Sequence, residues 1–384
     1  MTRQLQIFVL IDALGWPYVE QHDFLRRELP YRKSLQTILG FSSGAIPTIL
    51  TGERPEKNGH WNLFYYDPKN SPFWWLKAFR FLPASLLDNR IVRKALKELG
   101  RRIFGLGPLF ECCVRPSLLP WFNWVEKRSI YEPGGITGAM SVFDHLKKAH
   151  TPYRVYSYHH YTDAEIFVEA RRDILCRKAD FLFLYLSELD NFLHFHCEDH
   201  DEISKRLAFY ESEINKLYST ALAADKNASL TVFSDHGMTP VREKVDLVSK
   251  IDALGFRMPD DYLAVYDSTM ARFWFFNDRA RTQIRESLET LDCGQLLSDD
   301  ELMRFGTYFP DRRFGEAIFL LDPGVLVAES DFNGRGWSPK GMHGYHPEDP
   351  YSDAVFLSSC EPARDLRSIA DIYHCLAAAG GMAT

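Results

Sequence analysis

The sequence lacks several features that mark common classes of protein. It has no apolar run that approaches the ~18 residues of a membrane span. Its seven cysteines show neither zinc-ribbon spacing nor that of a secreted disulfide framework, which favours a reducing compartment. Internal repeats and low-complexity tracts are absent. The net charge of −7 gives no general attraction to nucleic acid, so we expect no nucleic-acid partner.

The amino-terminal residues also lack the pattern of a secretory signal peptide. Their apolar run, Ile7–Ile11, is short and leads directly into Asp12. We therefore expect a cytoplasmic protein.

Strands and helices alternate along most of the chain. The predicted strands are Gln4–Ile11, Tyr153–Tyr158, Phe181–Leu186, Ser229–Phe233 and Ala354–Leu357. The predicted helices are Thr137–His150, Asp163–Cys176, Glu202–Ala224 and Leu366–Ala378. This alternation predicts an α/β fold, with a doubly wound, mainly parallel sheet and helices on both faces.

Two regions interrupt this alternation. Residues 64–132 hold half of the eight tryptophans and many prolines, and we interpret them as a helical insertion. Residues 260–335 mix short strands with one helix, and we interpret them as a small α+β cap. The core would then consist of residues 1–63, 133–259 and 336–384.

The stretch from Gly40 to Gly59 contains a candidate reactive serine. Ser42 and Ser43 precede a short apolar segment, so we predict a helix with Ser42 as its N-cap and Gly52 as its C-cap. The N–H groups at such a helix start bind anions, phosphate above all. An ordinary capped helix explains this stretch equally well unless the chain also supplies a metal or a base.

Acidic residues and histidines follow three of the predicted strands, where ligands bind in a doubly wound sheet. These candidates are Asp12, Asp190 with His194 one helical turn later, Asp235 with His236, and, much later, His343 in a glycine-rich turn. Aspartate and histidine together suit zinc, manganese or iron better than calcium or magnesium. Each item alone has an ordinary explanation, such as an exposed helical pair or a capped loop, but their joint occurrence predicts a metal site. The histidines without comparable placement, interpreted as surface or local hydrogen-bonding residues, are His159, His160, His196 and His200.

As a set, these residues resemble the alkaline phosphatase superfamily, and most of all its type I phosphodiesterase/nucleotide pyrophosphatase branch. The matching segments run in the family's order through nearly the whole chain. They are Asp12, Ser42 ahead of Thr51-Gly52-x-x-Pro55-x-x-x-Gly59, Asp190-x-x-x-His194, Ser234-Asp235-His236-Gly237-Met238 and His343-Gly344-Tyr345. The resemblance implies an alkaline phosphatase-like catalytic core that binds two divalent metal ions, zinc in most of the family, with manganese as the alternative.

The resemblance also implies a ligand set for each ion. One ion would be held by Asp190, His194 and His343. The other would be held by Asp12, Asp235, His236 and the hydroxyl of Ser42.

The sequence departs from the branch in two places. The nucleophile there is usually threonine, whereas counting back from Thr51-Gly52 selects Ser42 over Ser43. The branch also has an asparagine that contacts a phosphate oxygen, and Asn62 lies one residue from that place. The sulfatase pattern of cysteine or serine followed by proline and arginine is absent, which argues against a sulfatase.

The activity that the resemblance implies is metal-dependent hydrolysis of a phosphodiester or pyrophosphate bond. A metal would lower the pKa of the Ser42 hydroxyl, and a covalent phosphoserine intermediate would then be hydrolysed. A phosphomonoesterase or phosphotransferase of the same superfamily would use the same metals and nucleophile. A catalytically silent binding protein would keep the fold, but such proteins normally lose ligands, and here all are present. The expected partner is a small phosphate ester.

Residues 72–107 form a basic region within an acidic chain, with eight basic and two acidic residues. Leu87, Ile91, Ala95 and Leu99 recur at helical spacing opposite several of the basic residues. A basic amphipathic helix with aromatic neighbours suits an anionic membrane surface, a lid over an apolar or polyanionic substrate, or a subdomain packed on the sheet. We therefore predict a lipid-linked substrate, with peripheral membrane contact through residues 72–107.

Overall fold

The structure is a computed structural model that describes residues 4–79, 90–106, 115–331 and 337–381. The strands are β1 Gln6–Ile11, β2 Tyr31–Leu35, β3 Phe64–Tyr66, β4 Phe122–Trp124, β5 Tyr153–Tyr156, β6 Phe181–Leu186, β7 Ser229–Phe233, β8 Thr239–Pro240, β9 Glu243–Val245, β10 Tyr262–Asp267, β11 Met270–Phe275, β12 Gly294–Leu296, β13 Ala317–Leu321, β14 Val325–Val327, β15 Gly341–Met342 and β16 Ala354–Ser358. The α-helices are α1 Trp16–Gln21, α2 Ser42–Thr51, α3 Pro55–Asn58, α4 Arg90–Ile103, α5 Val142–Lys148, α6 Asp163–Leu175, α7 Glu188–His196, α8 His200–Ala224, α9 Leu247–Asp252, α10 Asp278–Glu289, α11 Asp299–Phe305 and α12 Ile372–Ala379.

The central sheet confirms the predicted α/β fold. Its six strands lie in the order β2-β16-β7-β1-β6-β5. The four strands β7, β1, β6 and β5 are parallel, and β16 runs antiparallel between β7 and β2. The predicted strands Phe181–Leu186 and Ser229–Phe233 are observed with the same bounds. The carboxyl ends of β1, β6 and β7 therefore lie side by side at one edge.

Apolar side chains fill both faces of this sheet, because successive residues of a strand point to opposite sides. Val9 and Ile11 of β1 pack in a cluster with α6 and α8. Phe8 and Leu10 pack on the other face with α2, α5 and α12. The helices on both faces that the sequence predicted are thus observed.

Two predicted helices begin later than expected. The helix predicted at residues 137–150 starts at Val142, because Ser141 caps it and forms a capping box with Asp144. The helix predicted from Leu366 starts at Ile372, after the short 3-10 turn Ile369–Asp371.

The cap contains a four-stranded antiparallel sheet in the order β10-β11-β13-β12, which packs on α9 and α10. Part of the insertion packs on this cap. Its Phe73, Leu96 and Phe122 share one apolar cluster with Leu263 and Trp274 of the cap sheet.

For the described part of residues 72–107, the interpretation that the region packs on the central sheet is wrong, because its apolar side chains find their partners on β10 and β11. Ile130 and Tyr131, at the end of the insertion, do pack in the cluster on the central sheet. Leu87, Asp88 and Arg80 of the basic region, together with the predicted boundary at residues 335/336, lie outside the described residues. Within the described ranges, no helix combines the length and apolar content that crossing a bilayer requires.

Candidate active site

The strand ends bring the seven predicted ligand residues to one place. Asp12 follows β1, Asp235 and His236 follow β7, and α7 after β6 carries Asp190 and His194. His343 follows β15, which pairs with β8 just beyond His236. Ser42 opens α2 and contacts His236. A parallel sheet thus gathers residues that are up to 331 positions apart in a sequence of 384.

Ser42 is the first residue of α2, and the prediction that it is the N-cap is wrong. The N-cap is Phe41, which makes no side-chain capping bond. The Ser42 hydroxyl lies instead 2.9 Å from Nε2 of His236. The intrahelical hydrogen bonds begin with the N–H groups of Gly44 and Ala45, so the N–H groups before them are placed to bind an anion. The predicted C-cap Gly52 is confirmed, with a φ of 70°.

Asp12, Asp235 and His236 form one candidate metal cluster. Nε2 of His236 lies 3.4 Å from Oδ1 of Asp12 and 3.3 Å from Oδ2 of Asp235. Nδ1 of His236 lies 2.9 Å from the carbonyl oxygen of Gly237, which places a proton on Nδ1 and the lone pair on Nε2. Among the described residues, those two carboxylate oxygens are buried without a hydrogen-bond partner. These two carboxylate oxygens and one imidazole lone pair, converging in this way, fit a divalent cation.

The backbone holds this cluster in a constrained shape. Ala13 adopts φ = 61°, uncommon for a residue other than glycine, and its N–H points to Oδ1 of Asp235 at 3.5 Å. The Tyr185 hydroxyl donates a short hydrogen bond to the other oxygen of Asp12. Gly237 is required for close approach, since a Cβ there would lie 2.1 Å from the carbonyl oxygen of Tyr351.

The second predicted ligand set, Asp190, His194 and His343, also lies together. The two oxygens of Asp190 lie 3.4 Å from Nε2 of His194 and 3.5 Å from Nε2 of His343. Nδ1 of His194 lies 2.9 Å from the Gly341 carbonyl oxygen, which orients the ring. His236 also reaches this cluster, because its ring stacks on that of His343 with 3.8 Å between centroids. Ligand atoms of Asp190, His236 and His343 all lie within 4.8 Å of one another.

The pKa values reflect a buried site with three carboxylates. Burial raises the pKa of Asp12, and the neighbouring Asp235 and Asp190 raise it further. Burial opposes a charge on Asp190, but His194 and His343 outweigh it, so the pKa of Asp190 is lowered. Burial and the nearby His236 lower the pKa of His343, which keeps its imidazole neutral and able to bind a metal.

The cap contacts the site beside His343. Gly344 has a φ of 90°, and its carbonyl oxygen accepts a hydrogen bond from Thr269 in the turn between β10 and β11. A Cβ at Gly344 would lie 2.7 Å from the Phe41 ring, which also contacts the ring of His343 edge-on. The cap turn and the start of α2 therefore fix His343 from two sides.

Asn62 is buried close to the start of α2. The residue before it, Trp61, has its carbonyl oxygen 3.5 Å from the Ser43 hydroxyl. Oδ1 of Asn62 accepts the N–H of Leu63, and the Asn62 side chain also interacts with the carboxylate of Asp267 in the cap. The assignment of Asn62 to a phosphate oxygen stays a prediction.

Sequence reasoning missed an aromatic wall beside the first cluster. Tyr131 and Tyr185 are buried with ring centroids 5.8 Å apart, and the pKa of both hydroxyls is raised by burial and by Asp12. Tyr158 contacts Tyr185 edge-on, and the half-buried His159 has its ring centroid 4.2 Å from that of Tyr158 and 6.4 Å from that of Tyr131. These contacts join distant segments, so no local pattern could have predicted them.

Comparisons with known proteins agree with this geometry. The profile of the family described as type I phosphodiesterase/nucleotide pyrophosphatase matches residues 7–346. No curated protein matches the chain. Among solved structures, murine ectonucleotide pyrophosphatase/phosphodiesterase 5 is similar with a TM-score of 0.69 at 14% identity, over 99% of this chain and 96% of that one.

Two further solved structures are similar over the same extent. The human protein of that name has a TM-score of 0.70 at 14% identity, over 99% of this chain and 96% of that one. An inactive variant of the murine protein in complex with AMP has a TM-score of 0.67 at 14% identity, over 100% and 96%. At such identity these likenesses show the fold, which is that of the alkaline phosphatase superfamily.

The family profile covers nearly nine-tenths of the chain, including every predicted ligand residue. The family is metal-dependent, and the structure has two candidate ligand clusters. The chain therefore belongs to the type I phosphodiesterase/nucleotide pyrophosphatase family and is an enzyme that hydrolyses phosphodiester bonds.

Proposed function

We propose that the enzyme cleaves phosphodiester or pyrophosphate bonds through a covalent intermediate on Ser42, with two divalent ions, most simply zinc, held beside it. The proposal rests on one observation: carboxylate oxygens and a histidine nitrogen converge next to the Ser42 hydroxyl. Within the described residues, Asp12, Asp190 and Asp235 each present a buried oxygen without a hydrogen-bond partner. The Ser42 hydroxyl lies 2.9 Å from the histidine nitrogen between them.

The two ligand sets divide this site. Asp190, His194 and His343 would hold one ion, and Asp12, Asp235, His236 and Ser42 would hold the other. His236 reaches both clusters, so the ions would lie close together. Ions held by these residues would lower the pKa of the Ser42 hydroxyl and offset charge on the phosphate oxygens.

The protein residues then carry out two displacements. The Ser42 oxygen attacks phosphorus, the bond from phosphorus to the first alcohol or phosphate breaks, and that group leaves with a proton. The remaining phosphoryl group stays esterified to Ser42, and its oxygens face the N–H groups at the start of α2. Water then attacks the same phosphorus, releases the second product and restores the Ser42 hydroxyl.

The substrate class follows from the family and from one relative. The solved murine relative in complex with AMP is an inactive variant, so a nucleotide phosphate fits that protein. We infer that a small phosphate ester occupies the same edge of the sheet here, with Asn62 as a further contact to a phosphate oxygen.

A phosphomonoesterase or phosphotransferase would share these residues. Measured turnover of a diester and of a monoester distinguishes these activities. We expect bis-p-nitrophenyl phosphate to be hydrolysed with a higher kcat/KM than p-nitrophenyl phosphate, and chelation to abolish both. A higher kcat/KM for p-nitrophenyl phosphate would show that the enzyme is a phosphomonoesterase and would overturn the proposed diester cleavage. Turnover of neither, by protein that retains its metal, would favour the silent binding protein.

A lipid-linked substrate and membrane contact are supported by the insertion. Trp74 exposes 65% of its surface and Ile103 68%, and both lie in the same region as the exposed Lys94, Arg101 and Arg102. Exposed apolar side chains among cations suit an anionic bilayer surface.

Vesicle co-sedimentation tests this contact. We expect the protein to bind phosphatidylserine vesicles and not phosphatidylcholine vesicles, and the triple variant Lys94→Glu, Arg101→Glu, Arg102→Glu to lose binding. A second triple variant, with Lys205, Lys216 and Lys226 changed to Glu, is the control, because it removes the same charge from the α8 side. Equal binding by both triple variants, or no binding by the wild type, would remove the proposal.

A further inference from the structure

The helix that carries two of the proposed metal ligands is capped from outside its own sequence. Helix α7 runs from Glu188 to His196 and contains Asp190 and His194. Its N-cap, Ser187, makes no side-chain capping bond. The acceptor for its first N–H groups comes from α6, which lies about 25 residues earlier.

That acceptor is the carboxylate of Asp163. Oδ1 of Asp163 accepts the N–H of Ser187 at 3.1 Å, and Oδ2 accepts the N–H of Glu188 at 3.1 Å. The hydroxyl of Tyr210, from α8, donates to the same Oδ2 at 2.6 Å. Glu188 returns a bond, since its Oε1 accepts the N–H of Asp163 at 3.1 Å. Three helices are therefore joined at one carboxylate.

The burial of Asp163 shows that this is not an ordinary surface cap. Its side chain is completely buried. A buried carboxylate is costly unless donors satisfy it, and here three donors do so. Two of these donors belong to the first turn of α7, where negative charge is also favoured by the helix dipole.

We propose that Asp163 is a positioning residue for the metal ligands on α7. Its carboxylate fixes the first turn of the helix, and so sets the position of the Asp190 carboxylate, which belongs to that same turn. The inference rests on the proposed function, because it takes Asp190 and His194 as ligands.

A second contact near the carboxyl-terminal end of α7 explains why a shift of its first turn would change the metal site. His194 is tied separately to the Gly341 carbonyl oxygen through Nδ1, at 2.9 Å. A loosened first turn would therefore move Asp190 relative to His194 and His343, rather than moving all three together. The geometry of one metal site would change, while Asp12 and Asp235, on β1 and β7, would keep theirs.

Asp163→Asn is the sharpest substitution. An amide has one acceptor where the carboxylate has two, so at least one N–H of the α7 first turn meets a donor in either orientation of the amide. Tyr210→Phe is a milder change that removes one donor and leaves both N–H bonds. Both variants preserve the side-chain volume almost unchanged.

Asp173→Asn provides the matched control on the same helix. Asp173 is also a buried aspartate of α6, and it accepts the Tyr156 hydroxyl at 2.9 Å and Lys178 Nζ at 2.7 Å. Its partners Tyr156, Lys178 and Arg154 all lie outside α7, so its loss should lower stability without altering a metal ligand.

The experiment is zinc titration of the full chain by competition with a chromophoric chelator, alongside urea unfolding. The two proposed sites should give two classes of zinc-binding affinity in this titration. The class that is lost in Asp190→Asn is assigned to the site that contains Asp190. We expect Asp163→Asn to weaken that class by about tenfold or more and to leave the other class within about twofold. Tyr210→Phe should weaken the same class by less, and Asp173→Asn should change neither.

Unchanged affinity in Asp163→Asn, or an equal loss in both classes, would overturn the inference. If Asp163→Asn does not fold, Tyr210→Phe decides by the same criterion. Wild-type protein that binds no zinc would overturn the proposed function itself, and the inference with it, whereas wild-type protein that binds two ions isolates the role of Asp163.

Discussion

The hydroxyl of Ser42 lies 2.9 Å from Nε2 of His236. The other ring nitrogen of His236 faces the Gly237 carbonyl oxygen, so the proton lies on Nδ1 and Nε2 presents its lone pair toward the serine. The same nitrogen lies within 3.4 Å of oxygens of Asp12 and Asp235. One point in the molecule is thus shared by a candidate nucleophile and by acceptors that suit a cation.

Ser42→Ala should abolish turnover while the protein still folds and binds metal. We expect kcat for a diester substrate to fall by about a thousandfold or more, because Ser42 is the hydroxyl that lies next to His236 among the residues that the structure describes. Steady-state kinetics with bis-p-nitrophenyl phosphate provide the measurement.

Ser43→Ala is the matched control for that change. The Ser43 hydroxyl faces the Trp61 carbonyl oxygen at 3.5 Å, so its removal should change kcat by less than about tenfold. A reversed result, with activity kept in Ser42→Ala and lost in Ser43→Ala, would move the nucleophile by one residue.

Asn62→Ala should lower kcat/KM by about a hundredfold, with both metal affinities unchanged. Oδ1 of Asn62 is engaged by the N–H of Leu63, so the amide nitrogen is the donor that remains for Asp267 and for a phosphate oxygen. Asn123→Ala, which removes another buried asparagine outside the site, should leave kcat/KM nearly unaltered. Loss of stability in Asn62→Ala without a change in kcat/KM would give Asn62 a purely structural role.

Glu126 should make the stability of the protein depend on pH. Burial raises the pKa of its carboxyl from 4.5 to about 8, although the N–H of Ile130 opposes this. Between these pH values the folded chain keeps a proton that the unfolded chain has released. Stability is therefore lost progressively as the pH rises from about 4.5 to about 8, and then levels off.

Glu126→Gln removes this titration, so the variant should gain stability relative to the wild type over that range. We expect the gain to reach about 1 kcal/mol or more at pH 8, measured by urea unfolding at several pH values. Glu132→Gln, at an exposed position nearby, should show no such trend. A difference in the free energy of unfolding between Glu126→Gln and wild type that stays constant from pH 5 to pH 8 would refute the raised pKa of Glu126.

Much of the candidate site could be predicted because local spacing encodes it. Asp190 and His194 are four residues apart on a helix, and Asp12 and Asp235 follow short buried strands. Parallel strands then bring their carboxyl ends together without further information. The glycine after Thr51 also marks the end of α2 correctly.

The remainder depends on contacts between distant segments. The sequence favours Ser42 as a cap, but His236, 194 residues later, engages its hydroxyl. Asp163 caps a helix that begins 25 residues after it, and nothing in its own neighbourhood indicates that role. Phe73, Leu96 and Phe122 of the insertion pack on the cap because the apolar face that receives them belongs to β10 and β11, which lie far along the chain.

Metal content per chain, measured together with activity, tests the central claim most directly. Protein purified in zinc-containing buffer should hold two ions per chain by elemental analysis, lose them and its diesterase activity after chelation, and regain both on adding zinc. Protein that retains full diesterase activity with no bound transition metal would contradict the account, because the buried oxygens of Asp12, Asp190 and Asp235 would then need another partner.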